Sequence, residues 1–262
     1  MMKNNALILT DIEGISGVSS IEAINQESPA YTKACESLMQ DTNTAVAALK
    51  DSGCDKVYVL DGHGKGENFI KEKLDKRAIQ ITIPEMSKAI KEVDCVILIG
   101  MHAMSGTLCA FLDHTQSSIK IHNYFYNGKR IGEISQIGAF AGHFGVPCVT
   151  VSGDEAVCAQ AIELIDGICT ATVKIAKSRN LAECLPNNEA QANIYNAVKS
   201  GFIKKEEIKP LNVTLPLHIK VEFNRSDYCD DACESNKNLK RIDAFTAESI
   251  KETIECYSDV LL

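Results

Sequence analysis

The chain of 262 residues has no tryptophan, no excess of basic charge and no apolar run long enough to cross a bilayer. Lysine and arginine number 27 against 35 aspartate and glutamate, a net charge of −8. A general nucleic-acid binder carries a basic footprint, so that class is excluded. A spanning helix needs about 20 consecutive apolar residues, so no membrane partner is expected. The N-terminal MMKNNALILTD is too short in its apolar part for a secretory signal and runs directly into acids. Internal repeats and low-complexity tracts are also missing. Cysteine, by contrast, is frequent: eleven, scattered, several inside apolar runs where the thiol behaves as a small hydrophobe. With no secretory signal, this usage predicts a reducing, cytoplasmic setting rather than a disulfide scaffold. Cys229 and Cys233 form a CxxxC, but no second Cys or His pair stands near it to complete a zinc knuckle.

Short apolar runs cut off by turn residues organise the chain. Leu7 to Thr10 ends in Asp11 and Glu13, followed by Gly14 and Gly17; Lys56 to Leu60 ends in Asp61-Gly62-His63-Gly64; Cys95 to Gly100 ends in Met101-His102. Such runs predict buried parallel strands. Helix-period segments lie between them: Thr32 to Lys50, a short Asn68 to Lys76, Glu85 to Val93, Glu133 to Phe144, Glu155 to Leu164 and Asn188 to Ser200. Ile119 to Tyr126 is expected as a strand turning at Asn127-Gly128. The alternation predicts an α/β protein with a mainly parallel, doubly wound sheet and helices on both faces. Texture changes near Asp166, so residues 1–165 are expected to form the site-bearing domain and 166–262 a smaller α/β domain packed on it. Within that second part, Arg225 to Asn238 reads as polar, and Arg241 to Phe245 and Ala247 to Leu262 as a last strand and helix.

In an open α/β sheet, ligands bind beyond the carboxyl ends of the strands. Asp11, Glu13, His63, His102 and the helix-opening Glu133 all fall there. Hard carboxylates and imidazoles converging on one rim suit a divalent metal, zinc first. One catalytic zinc needs three protein ligands and an open position, so five donors suggest two ions bridged by a carboxylate, with Asp11 the best bridge. Asp61 is a sixth ligand, an acid that orients a ligand, or a cap of its own turn. His114, on a loop of small residues, is a candidate catalytic group; His122, His143 and His218 read as structural. Lys65 lacks phosphate-loop spacing and Ser152 lacks the glycine of a nucleophile elbow. Asp154 and Glu155 read as helix-start acids.

DIEGISG, the D-x-H turn after the second strand, GMHAMSGT, DHT and GEISQIGAFAGHFGVPCVTVSGDE occur in this order and spacing. Together they resemble the zinc-dependent D-aminopeptidase family of the dipeptide-transport type, with ordered motifs over roughly residues 5 to 160. The resemblance implies a two-zinc site on Asp11, Glu13, His63, His102 and Glu133, and a catalytic role for His114. It implies cleavage of the N-terminal residue from short peptides containing D-amino acids, by a water activated between two zinc ions, in a self-compartmentalising homodecameric ring. Gly62 and Gly64 stand where family members tend to carry serines, and Asp113-His114-Thr115 replaces a Ser-His-Ser-like run. Two other readings remain: a two-metal hydrolase acting on a phosphate ester or an L-peptide, and a non-catalytic metal-binding module.

Overall fold

The computed structural model describes residues 4–262. The first described element is strand β1 (Ala6–Thr10), every residue of which is buried. Helix α1 (Pro29–Asp51) follows, starting three residues before the periodic stretch because Pro29 sits in its first turn and Ser28 caps it, accepting from the Ala30 amide. Strand β2 (Val57–Asp61), strand β3 (Ala78–Ile81) and helix α2 (Ile83–Ala89) come next; Thr82 and Glu85 cap α2 reciprocally. Strand β4 (Cys95–Met101), the hairpin β5 (Ile121–Tyr126) and β6 (Lys129–Arg130), and helix α3 (Glu133–His143) follow. The chain continues through β7 (Cys148–Asp154), α4 (Glu155–Leu164), β8 (Cys169–Ser178), β9 (Leu181–Cys184) and α5 (Asn187–Ile203). It ends with β10 (Leu217–Phe223), α6 (Ser226–Ser235), β11 (Lys240–Arg241) and β12 (Thr246–Lys251).

Seven strands form one sheet in the order β3-β2-β1-β4-β7-β8-β9, parallel except for β9. From β1 the chain winds out to β2 and β3, then crosses to β4 and on to β7 and β8. Right-handed crossovers therefore put α1 on one face and α2, α3 and α4 on the other. Between β1 and β4 the direction of winding reverses, and the crevice above their carboxyl ends is the expected ligand site.

Five strands form a second, antiparallel sheet in the order β11-β12-β10-β5-β6. The two sheets do not part at residue 165. β8, β9 and α5, expected in a separate C-terminal unit, extend the main sheet, with Thr150 of β7 beside Cys169 of β8. The hairpin β5–β6, from the first half, instead pairs with β10.

Three local expectations change as well. Asn68 to Lys76 contains only a single 3-10 turn at Lys71–Lys73, none of it buried, so no helix has a face to pack. The polar stretch after Arg225 is helical as α6, around the buried Cys229. Ala247 to Leu262 is not a helix: β12 alternates with Ala247 and Ser249 buried, and a 3-10 turn spans Tyr257–Val260.

Candidate metal centre

Asp11, Glu13, His63 and His102 reach the rim because buried strands stop beneath them. Asp11 and Glu13 follow β1 in a turn running to Val18, with Ile12 and Ile15 fully buried under it. This turn lies directly on the end of β4. The Gly14 amide donates to the Gly100 carbonyl at 2.8 Å, and a Cβ on Gly14 would stand 2.0 Å from the Met101 carbonyl oxygen. His102 is thereby brought beneath Asp11. His63 arrives from the turn after β2, and Glu133 from the first residue of α3.

The structure brings the five predicted ligands and His114 into one cluster. His63 Nδ1 lies 3.0 Å from Asp11 Oδ1 and 3.1 Å from Glu13 Oε2. His102 Nε2 lies 3.3 Å from Asp11 Oδ2 and 3.4 Å from Glu133 Oε1. The two oxygens of Asp11 thus face different imidazoles. His114 stacks on His102 with ring centroids 3.8 Å apart, and its Nε2 is 4.0 Å from Glu133 Oε1. Two triads result, Asp11–Glu13–His63 and His102–His114–Glu133, each with ligand atoms within 4.8 Å of one another.

Backbone contacts orient the rings. His102 Nδ1 donates to the Ala103 carbonyl at 3.0 Å and His114 Nδ1 to the Leu112 carbonyl at 2.8 Å, which turns both Nε2 atoms toward the carboxylates. The Gln116 amide donates to Glu133 Oε1 at 2.7 Å. Asp61 faces away: its oxygens accept from the Asn68 amide at 2.6 Å, the Asn68 side chain and the His63 amide. It organises the turn that presents His63.

Burial works against the charged forms of Asp11, Glu133, His63 and His102, and the opposite charges win. It raises the Asp11 carboxyl, but hydrogen bonds from His102 and His63 hold it well below the usual range. Glu133 is lowered despite burial by the His102 charge. Burial disfavours a protonated His63, yet Asp11 and Glu13 push it up to about 11; Glu133 and Asp11 likewise raise His102 well above an ordinary imidazole. Two atoms stay unsatisfied. Glu13 Oε2 and His102 Nε2 are buried without an aligned hydrogen bond, although His63 Nδ1 lies close to the former. Orphaned buried donors of this kind, carboxylate and imidazole together, fit a divalent cation.

A pocket of about 470 Å³ opens over the cluster, with Ile24, Ile83, Ile137 and Leu261 among its apolar lining and Gln116, Ser117 and Tyr257 on the polar side. Several groups supporting the site gave little sign of it in sequence. Asp41, fully buried on α1, accepts from the Ser16 amide and hydroxyl and from Gln191. Asp154 caps α4 through the Val157 amide, as expected of a helix-start acid, and also accepts from Phe111 at 2.7 Å, anchoring the loop that carries His114. Burial raises both carboxyls. Lys174, fully buried on β8, is lowered by that burial to about 8. An acid on the apolar stripe of α1 and a lysine inside a buried strand were the available signals.

Fold and cluster define the class, a doubly wound α/β scaffold with a carboxylate–imidazole cluster able to hold a metal at the strand reversal. A family model described as D-aminopeptidase, of the M55 peptidases, matches residues 4–261, and the chain belongs to this peptidase family. The D-aminopeptidase of Bacillus subtilis (strain 168) is 27% identical over 223 residues, covering 81% of this chain and 79% of that protein. The fold matches the solved Zn-dependent D-aminopeptidase DppA from Bacillus subtilis, described as a self-compartmentalizing protease. The TM-score is 0.91 at 22% identity, over 98% of this chain and 95% of that one.

Proposed function

We propose that this chain is a zinc-dependent aminopeptidase that removes the N-terminal residue from short peptides, favouring D-amino acids, with two zinc ions per chain. The observation that carries the reading is Asp11, whose two oxygens face His63 at 3.0 Å and His102 at 3.3 Å. Asp11, Glu13 and His63 would hold one ion; Asp11, His102 and Glu133 the other. When bound, such ions lower the pKa of water toward neutrality and polarise a scissile carbonyl.

The chain's own groups supply the rest. With Nδ1 committed to Leu112, His114 has Nε2 free to stabilise charge on the substrate carbonyl oxygen or to protonate the departing amine. The acidic rim attracts a substrate ammonium, which favours an exopeptidase acting at a free N-terminus. The pocket volume of about 470 Å³ suits a short peptide. Among the described residues neither lysine nor arginine lines it, which disfavours a phosphate ester. Eleven unpaired thiols support a cytoplasmic setting. The described self-compartmentalisation of DppA supports a homo-oligomer, which we take to be a decameric ring.

The test is hydrolysis of D-Ala-D-Ala, L-Ala-L-Ala and a phosphate ester by zinc-loaded protein, before and after chelation. Chelator-sensitive cleavage of the D-dipeptide is expected; absent or chelator-insensitive peptide cleavage overturns the reading. His114→Ala is expected to keep both ions and lose turnover by about 10²-fold or more. Loss of an ion instead would make His114 a ligand.

A further inference from the structure

We infer that Lys174 is a positioning residue for the Asp11–Glu13–His63 half of the metal centre, acting through the backbone of Glu13. The inference rests on the two-ion reading above. Lys174 is buried completely, and its Nζ donates to the Glu13 carbonyl at 2.7 Å and the Val18 carbonyl at 2.6 Å. The Phe111 ring closes over the same ammonium, its centroid 4.9 Å from Nζ. Both hydrogen-bond acceptors are main-chain carbonyls, one at each end of the turn from Glu13 to Val18. A buried ammonium held this way is costly to desolvate, so the turn's shape is what it secures.

Glu13 depends on that shape more than its neighbours do. Its Oε2 accepts no aligned hydrogen bond, and the side chain that lies close to it, His63 at 3.1 Å, belongs to the same half of the cluster, so its main chain is what fixes it from outside. The other half of the centre has separate supports: His102 is oriented by Ala103, and Glu133 by the Gln116 amide. Other anchors on the turn, the Gly14 amide to Gly100 and the Ser16 amide to Asp41, use N–H groups between the lysine's two carbonyls, and the Glu13 carbonyl is held by Lys174.

The test is zinc stoichiometry and affinity of the full chain, read by competition with a chromophoric chelator. Wild type is expected to bind two ions; fewer would undo the two-ion reading itself, separately from this inference. Lys174→Met is expected to keep one ion at wild-type affinity and bind the other about 10- to 100-fold more weakly. General destabilisation would weaken both alike, so equal loss, or wild-type affinity for both, overturns the inference. If Lys174→Met does not fold, Gly17→Ala decides. Gly17 is exposed, has a φ of +80°, and strains the same turn from outside when a Cβ is added. The same selective loss supports the clamp, and two ions at wild-type affinity overturn it.

Discussion

Without an ion, His63 takes its positive charge from a proton. Its ordinary value near 6.5 is pushed up to about 11, against burial, by Asp11 and Glu13. A raised value in the folded chain contributes stability fully present below about pH 6.5 and lost as pH rises toward 11. Asp11 is lowered instead, so its contribution is present above its ordinary range and lost in acid. Lys174 runs the other way: lowered to about 8, it costs stability that is relieved as pH rises from 8 toward 10.5. Melting temperature therefore mixes these effects, whereas proton release isolates the site. A metal takes only neutral imidazole, so binding must expel protons and tighten as pH rises. Calorimetric zinc titrations at pH 7 in buffers of different ionisation enthalpy are expected to show net proton release. Buffer-independent heats would mean that the imidazoles are already neutral.

At the level of elements, two glycines let the turn after β1 cross the end of β4. A Cβ on Gly14 would meet Met101 and Gly100 backbone atoms at 2.0 to 2.6 Å, and one on Gly100 the Asp11 carbonyl at 2.2 Å. Gly14→Ala is expected to cost about 1–3 kcal/mol of stability and to separate Asp11 from His102, lowering zinc affinity. Denaturant unfolding with chelator and a zinc titration check both; an unchanged midpoint would mean that the crossing relaxes freely. This rim was legible in the sequence because each apolar run ended in an acid or imidazole. Pairing was not. Periodicity marks Ile119 to Tyr126 as a strand but says nothing of which strand it meets, and its partner β10 lies about ninety residues on. Thr246–Lys251 has too few large apolar residues to announce a two-residue period. Lys174 was missed because its acceptors are carbonyls, which no side-chain pattern reveals.

Across the molecule, the last residues return to the first. Tyr257, Ser258 and Leu261 line the pocket together with Asp11, Tyr257 packs edge-on against Phe140 of α3, and the Tyr126 hydroxyl of the second sheet donates to the Val260 carbonyl. Deleting residues 254–262 leaves every strand of both sheets present. The truncated chain is expected to melt lower yet cooperatively and to show a KM for dipeptides about tenfold higher, with zinc content unchanged. An unaltered KM would show that these residues do not meet substrate. A ribosome making this chain finishes the last metal-facing group, Glu133, nearly half a chain before the residues that complete the cavity. A growing chain thus holds its candidate ligands long before Tyr257, Ser258 and Leu261, and what those late residues add is fit for substrate rather than the means to bind metal.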